Sequence, residues 1–484
     1  MELINYLTDT KNSLPLLYPE LGMVLGIVLL LLLDLFIKEE KRGVFKYFTL
    51  AILVATYAYS VDQYCPLMFG STLFQEKLLL SKISVVSKIL FQLTGIGVVF
   101  FSIFDTNKTK NQERTVAYYV LLLGVLLGAH LMLMSRNLLV TFMAVELVSL
   151  SSYLLTAIDK NKTKGFEGGI KYLIFGAVAS AFMLYGMSWL YGLSGSLAYG
   201  DVLSKLFSAP SWFMSLMLFF VFIGFLFKIA AFPMHSWVPD VYQSAPNAIV
   251  AFFSVVPKIA GVIVLYFIVI ELPSEVYLKL MFILSLSSML IGNLAALRQK
   301  DLKRMLGYSS IAHAGFLLIG VVAPTSYGIK AVMFYGFMLL AANMGVFFLI
   351  RILWNTTKST LLASYSGIAR KAPLIGIVAI IIMAALTGLP PTMGFSAKLF
   401  LFTSLWGAYQ SATDPMLLLL FIVGLFNTVV GLFYYIRLPY YLFFKESNNI
   451  NDISLTIGNK FFILLCIVPL IILFVKADWL FNIL

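Results

Sequence analysis

Runs of about 20 apolar residues recur along almost the whole chain, separated by short polar connections. A helical run of that length spans the hydrocarbon core of a bilayer, and a helix pairs every backbone group inside the segment. The pattern predicts an all-α polytopic membrane protein with about fourteen transmembrane helices. These are expected at roughly 14–37, 44–63, 83–104, 115–134, 137–158, 169–192, 212–232, 246–270, 275–297, 305–323, 328–353, 373–406, 415–440 and 460–478.

The composition excludes the main soluble classes. Hydrophobic residues make up 61% of the 484 residues and charged residues only 12%, whereas a soluble domain carries about 25% charged residues. Such a chain cannot cover a surface that faces water, and it is far too apolar to be disordered. The protein is therefore expected to be surrounded by lipid.

The basic residues indicate orientation and not nucleic-acid binding, despite a net charge of +12. Most of them lie in connections after odd-numbered spans, for example Lys41, Arg42, Lys108, Arg298 and Lys300. Because short cytoplasmic loops are enriched in Lys and Arg, these connections are expected to face the cytoplasm, or the matrix or stroma of an organelle. Both termini are then predicted on the non-cytoplasmic side, and no nucleic-acid partner is expected.

The residues that hold metals and nucleotides are scarce. The chain has two cysteines, far apart, and three histidines, none of them spaced as a ligand pair. No glycine-rich loop follows a strand and opens a helix. The sequence therefore predicts no metal site and no bound cofactor in this chain.

Four ionisable residues lie deep inside the predicted spans: Glu146, Lys228, Lys258 and Lys398. A lysine near the centre of a span costs about 2.5–3.5 kcal/mol to insert, and such residues usually face a bundle interior or a wet path. Snorkelling of the lysines to the interface, and a neutral Glu146 with a packing role, are the alternatives. We predict a proton relay in which Glu146 pairs with Lys228 and the proton continues through Lys258 to Lys398.

Three further residues are auxiliary candidates. Lys171 lies only two residues inside its span, so it can also snorkel to the interface. His313 and His235 are polar residues near the candidate sites, although a hydrogen-bonded packing role is open for both. His130, near the end of a span, is expected to be structural.

Prolines interrupt two of the spans. Pro233 follows the seventh span, and Pro390 with Pro391 lies inside the twelfth. Proline removes a backbone donor and clashes with the preceding turn, so both helices should break. The breaks fall at corresponding places in two five-span halves, and paired broken helices of this kind point to an ion pathway.

The odd number of spans in each half predicts an inverted repeat. The predicted division is an N-terminal three-helix segment over 1–114, a first repeat of helices 4–8 over 115–270, a second repeat of helices 9–13 over 271–441, and a C-terminal helix over 442–484.

Four sequence blocks carry a resemblance to a known family. They are the AVELVSLSSYLL span, GFLFKIAAFPMHSWVPDVYQSAPNAIVAFFSVVPKIAG (Gly224 to Gly261), DLKRMLGYSSIAHAGF (Asp301 to Phe316) and GLPPTMGFSAKLFLF (Gly388 to Phe402). Together the blocks resemble the antiporter-like membrane subunits of respiratory complex I, NADH:quinone oxidoreductase, over about residues 115 to 440. PDVYQSAP (Pro239 to Pro246) and the lysine in the twelfth span are similar to the N-type chain, also called subunit 2.

The resemblance implies a role and a setting. Glu146, Lys228, Lys258 and Lys398 match the family's ionisable positions of the fifth, seventh, eighth and twelfth spans, and Lys171 matches less firmly. A proton-translocating subunit is implied, driven by electron transfer from NADH to quinone on other subunits. NADH, FMN, iron–sulfur clusters and quinone would then belong to partner subunits, and sister antiporter-like chains would be neighbours in a bacterial inner membrane.

Two other functions stay open at this point. The same core occurs in cation/proton antiporters, and a purely scaffolding membrane subunit is a third interpretation. Deep charges would be an unexplained cost in a scaffold. The sequence does not distinguish protons from sodium ions as the translocated ion.

Overall fold

A computed structural model describes residues 2–64, 69–104, 116–158, 163–206, 210–446 and 455–484. Helices dominate these ranges, which confirms the predicted all-α class. Short 3₁₀ turns occupy Leu14–Leu17, Glu39–Val44 and Leu362–Tyr365, and two strands, β1 (Ser71–Leu73) and β2 (Leu78–Leu80), form an antiparallel hairpin. The helices are α1 (Glu2–Ser13), α2 (Tyr18–Phe36), α3 (Phe45–Asp62), α4 (Lys82–Phe104), α5 (Val116–Met134), α6 (Leu138–Thr156), α7 (Thr163–Ser194), α8 (Tyr199–Leu206), α9 (Ser211–Ile229), α10 (Val238–Ser244), α11 (Asn247–Phe253), α12 (Val256–Val269), α13 (Ser274–Leu297), α14 (Leu302–Val322), α15 (Ser326–Thr357), α16 (Ile368–Lys371), α17 (Pro373–Thr387), α18 (Met393–Ala412), α19 (Pro415–Tyr435), α20 (Arg437–Phe444), α21 (Ile457–Val475) and α22 (Ala477–Ile483).

The membrane spans agree with the sequence pattern. Within the described ranges, 13 helical stretches are long and apolar enough to cross a bilayer. The remaining predicted span, the twelfth, is divided into α17 and α18. About fourteen spans are thus confirmed. Several connections that carry the orientation argument, at 105–115, 159–162 and 447–454, lie outside the described residues.

The described residues belong to two compact units. The first comprises Met1–Ile103, Lys108–Lys228 and Ile259–Val276, and the second comprises Phe104–Asn107, Ile229–Lys258 and Tyr277–Leu484. The four-part division and the inverted relation between the repeats stay predictions.

In the first unit, α2 packs on α3 and α5, and α5 packs on α6. Glycine allows the close α5–α6 approach, since a Cβ on Gly128 would lie 3.0 Å from the carbonyl oxygen of Ala144. The β-hairpin lies at one end of these helices, where Leu73, Leu78 and Leu80 form an apolar cluster with side chains at the adjacent ends of α4 and α5. We call this the hairpin end of the first unit.

In the second unit, α14 and α15 are buried along most of their length, and α14, α15 and α17 all pack against α18.

Both predicted helix breaks are present: Pro233 lies between α9 and α10, and Pro390 and Pro391 lie between α17 and α18.

A third interruption was not predicted from the sequence. It separates α11, which ends at Phe253, from α12, which begins at Val256. Pro257 explains it, because its ring excludes the helical hydrogen bond to the carbonyl of Phe253 four residues earlier. Lys258 comes directly after this interruption.

Candidate ion-translocation sites

Glu146 and Lys228 form the candidate site of the first unit. The Glu146 carboxylate, on α6, accepts a hydrogen bond from the Ser180 hydroxyl of α7. Lys228, near the end of α9, is 2% exposed, and its Nζ has no hydrogen-bond acceptor among the described residues. The predicted pair is therefore not joined by a direct hydrogen bond, although Glu146 is the charged group that acts on Lys228.

Tyr153 accompanies this pair. The Lys228 Nζ lies 5.9 Å from the centre of the Tyr153 ring, and the Tyr153 side chain is buried. A buried ammonium without an acceptor is energetically costly. The site is therefore suited to a charge that arrives and leaves, and less suited to a permanent ion pair.

Lys258 begins the candidate site of the second unit. Its Nζ donates a hydrogen bond of 2.5 Å to the backbone oxygen of Ser310 in α14. The Ser310 hydroxyl is 2.8 Å from the Tyr242 hydroxyl. A cavity of about 10 Å³ borders Lys258 and His313, and this volume corresponds to about one water molecule.

His313 is hydrogen-bonded through both ring nitrogens. Its Nδ1 lies 2.7 Å from the Tyr335 hydroxyl and its Nε2 lies 2.9 Å from the Tyr435 hydroxyl. Lys398 and Lys258 are the charged groups that act on the ring. An imidazole between two hydroxyls can accept a proton on one side and donate on the other.

Lys398 binds the end of an interrupted helix. Its Nζ donates a hydrogen bond of 2.6 Å to the carbonyl oxygen of Thr387, the last residue of α17. Terminal carbonyls have no partner within their own helix, and they form the negative end of the helix dipole. Gly388 makes the turn that exposes them, with a left-handed φ of 90°. The proline break thus supplies the acceptor for the lysine.

One side of Lys398 borders an apolar cleft between α18 and α19. The cleft has a volume of about 450 Å³ and is lined by aromatic and aliphatic side chains that include Phe402, Trp406 and Phe421. Lys398 itself is only 6% exposed, so its ammonium is enclosed on the opposite side by α17 and by the ring of Phe316, 4.5 Å away.

The auxiliary candidates differ in their surroundings. The Lys171 Nζ lies 2.8 Å from Glu167 one turn earlier, and 42% of its side chain is exposed, which fits the snorkelling interpretation. His235 is half-buried in the turn that follows Pro233, and its ring centre is 5.9 Å from that of Phe232.

Several residues of the second unit's site were not identified from the sequence. Tyr242, Ser310, Tyr335 and Tyr435 make the hydrogen bonds described above, yet hydroxyl side chains are common in apolar spans and carry no distinctive pattern. Only Tyr435 had a sequence signal. It lies in the segment GLFYYIRLP, in which two adjacent tyrosines end an apolar span.

The fold and these sites define a class of protein: a polytopic membrane protein whose buried basic side chains lie at interrupted helices, as in ion-translocating membrane subunits. The comparisons agree. The family described as NADH:quinone oxidoreductase/Mrp antiporter, TM, matches residues 135–430. The chain belongs to this family.

Relatives match over nearly the full length. NADH-quinone oxidoreductase subunit N of Chlorobium chlorochromatii is 32% identical, with 92% of this chain and 88% of that protein covered. The subunit N of Laribacter hongkongensis is 33% identical, with 96% and 94% covered.

Solved structures show the same fold. A chain of respiratory complex I from Thermus thermophilus with bound aureothin is 28% identical, has a TM-score of 0.79, and is matched over 96% of this chain and 98% of that one. A chain of the Mrp complex from Dietzia sp. has a TM-score of 0.82 at 19% identity over 98% of this chain and 96% of that one, a likeness of fold alone.

Proposed function

We propose that this chain is a proton-translocating membrane subunit of an NADH:quinone oxidoreductase. The observation that carries the proposal is the position of the buried lysines: Lys398 is bonded to the open end of α17, and Lys258 follows a helix interruption. Irregular backbone at membrane depth occurs where it lines a cavity or is buried in protein. The enzyme is proposed from the relatives of similar length, which are named NADH-quinone oxidoreductase subunit N.

The proposed relay has a part in each unit. In the first unit, the charge on Glu146 sets the protonation of Lys228. In the second, the proton passes between Lys258 and Lys398 with His313 and its two tyrosine hydroxyls as intermediaries. The hydrogen bonds of 2.7 and 2.9 Å around His313 support this step.

The redox chemistry is proposed to lie outside this chain. NADH, FMN, iron–sulfur clusters and quinone would be bound by partner subunits, and sister antiporter-like chains and the lipid bilayer would surround the helices. Within the described residues, no group of three or more His, Cys, Asp or Glu side chains is arranged to hold a metal ion. A bacterial inner membrane is the proposed location, because the relatives compared above are bacterial.

Purification from membranes tests the proposal. With an affinity tag on this chain and mild detergent, we expect an assembly that contains flavin and iron–sulfur clusters and reduces quinone with NADH. The tagged chain would be quantified against flavin by absorbance, with a tag on an unrelated membrane protein as the control.

A cation/proton antiporter subunit is the second candidate, favoured by the fold shared with the Mrp complex. Isolation of the chain with other membrane subunits but without flavin, together with sodium/proton exchange in vesicles, would support that candidate and contradict the first.

The orientation can be tested separately. We propose that both termini face the non-cytoplasmic side, on the strength of the basic connections. A cysteine appended after Leu484 should react with a membrane-impermeant thiol reagent added outside intact cells. The same cysteine placed beside Lys300 is the control and should react only after the membrane is opened. The reverse labelling pattern would disprove the orientation.

A further inference from the structure

A buried cluster of ionisable side chains in the first unit is not used by the proposed relay. We call it the Glu20 cluster: Glu20 of α2, Lys88 of α4 and His130 of α5. The Lys88 Nζ lies 2.9 Å from Glu20 Oε1, and His130 Nδ1 lies 2.8 Å from the same oxygen. The three residues are 0–3% exposed, and they lie outside residues 135–430, the part matched by the family. From the sequence alone, His130 is expected to be structural.

The hydrogen bonds determine where protons lie in the cluster. Glu20 faces an ammonium, and a carboxylate can only accept hydrogen bonds. The His130 Nδ1 must therefore carry a hydrogen, and in the neutral form of the ring the lone pair is then on Nε2. That Nε2, like Glu20 Oε2, has no hydrogen-bond partner among the described residues. In this form the cluster has no net charge and contains a basic nitrogen without a hydrogen-bond partner.

Neutral polar groups extend the cluster. Gln63 accepts a hydrogen bond of 3.3 Å from Lys88 and donates one of 2.7 Å to the Leu16 carbonyl. Gln92 lies one turn from Lys88 on the same face of α4, and Ser60 lies three residues before Gln63 on α3. The Gln92 amide and the Ser60 hydroxyl are buried without partners among the described residues. Buried polar groups without protein partners are the usual setting of internal water.

A purely structural ion pair does not explain this arrangement. Buried ion pairs are seldom more stabilising than apolar residues of the same volume, and a polar network contributes to stability when all its members are paired. Here the unpaired atoms include His130 Nε2, and imidazole is the side chain whose ordinary pKa is nearest to neutral pH.

We propose that His130 Nε2, held by Glu20 and Lys88 and reached through internal water, is a second proton-binding site of the first unit. Uptake forms a bond between a proton of a neighbouring water chain and Nε2, and the cluster changes from no net charge to +1. Release returns that proton to the water. The site lies toward the hairpin end, because Lys88 is near the start of α4 and His130 near the end of α5.

The charges that act on His130 are few. They are Glu20 from α2 and Lys88 from α4, while Gln63, the residue that follows α3, is neutral. The charged residue of the adjacent α6, Glu146, instead binds Ser180 of α7. This site deepens the proposed function, and a role for its proton in translocation rests on that function. Proton uptake by His130 does not, since it can be measured without turnover.

The experiment uses the intact complex with histidine labelled by ¹⁵N. Infrared difference spectra between pH 4.5 and pH 8.5 should contain an imidazole ring band that is absent from His130→Gln. In Lys88→Met the band should titrate at a pH about one unit higher, because a cation near the ring is lost. In Glu20→Gln it should titrate about one unit lower, because the ring loses its anion. Glu275→Gln, which alters an exposed carboxylate, is the control and should match the wild type.

The opposite shifts separate a proton site from a structural cluster. Wild-type and His130→Gln spectra that agree, in complexes that assemble, overturn the proposal. If the single charge variants do not assemble, the neutral double variant Glu20→Gln/Lys88→Met replaces them. Its imidazole band must disappear when His130→Gln is added. Proton pumping that is insensitive to Glu146→Gln and Lys228→Ala would reject the relay while a titrating His130 would still support this site.

Discussion

Replacement of Lys228 by Ala should reduce proton pumping by about tenfold or more in an assembled complex, which corresponds to an added barrier of about 1.4 kcal/mol or more. The ammonium is buried without an acceptor, and Glu146 is the charge that acts on it. After the replacement, Glu146 can take up a proton and stay in place beside Ser180, so the fold should be retained. No NADH or quinone contact is altered, and a loss of quinone reduction would therefore report coupling between the two processes.

The measurement compares acidification of inverted vesicles with the rate of quinone reduction by NADH. Glu146→Gln and Lys398→Ala should have effects in the same direction, because each removes a member of the proposed relay. Lys279→Ala is the matched control, since Lys279 is exposed on α13, and it should behave as the wild type. Unchanged pumping rate and stoichiometry in all three assembled variants would show that these charges are structural.

Substitution of Gly394 should have the largest effect on assembly. Gly394 lies in the first turn of α18, and a Cβ there would overlap the carbonyl oxygen of Ala385 and lie 2.7 Å from its carbon. Both are backbone atoms of α17, which cannot rotate away as a flexible side chain could. Overpacking of a core costs about 1–3 kcal/mol when side chains can adjust. We therefore expect Gly394→Ala to cost more than about 3 kcal/mol, the upper end of that range, and to separate Lys398 from the Thr387 carbonyl.

Gly407 is a control on the same helix. It is exposed, and nothing lies within 4 Å of a Cβ built on it, so Gly407→Ala should leave assembly unchanged or slightly improved. The amount of the chain in the purified complex and its thermal midpoint would be measured for both variants. Normal assembly of Gly394→Ala with full pumping would contradict the close α17–α18 packing and its role in holding Lys398.

Some features followed directly from the order of the residues. Length and hydropathy predicted the spans, because every backbone group in a bilayer must be paired within its own helix. Pro233, Pro390 and Pro391 marked two breaks, because the effect of proline on a helix is local. Pro257 carries the same signal for the third break, but Ser254 is the one polar residue in the apolar run before it. Lys258 and Lys398 stood out because a charge within an apolar run is visible from one sequence alone.

The partners of those charges depended on contacts between distant parts of the chain. The order of residues does not show that Lys398 binds the Thr387 carbonyl, or that His313 binds tyrosines 22 and 122 residues away. The Glu20 cluster is the clearest case. Glu20 and Lys88 lie near helix ends, where sequence favours exposure to the interface, and His130 is 110 residues from Glu20. Hydropathy predicts the depth of each residue along its own helix. Burial and charge pairing depend on which helices become neighbours, and side-chain packing decides which helices do.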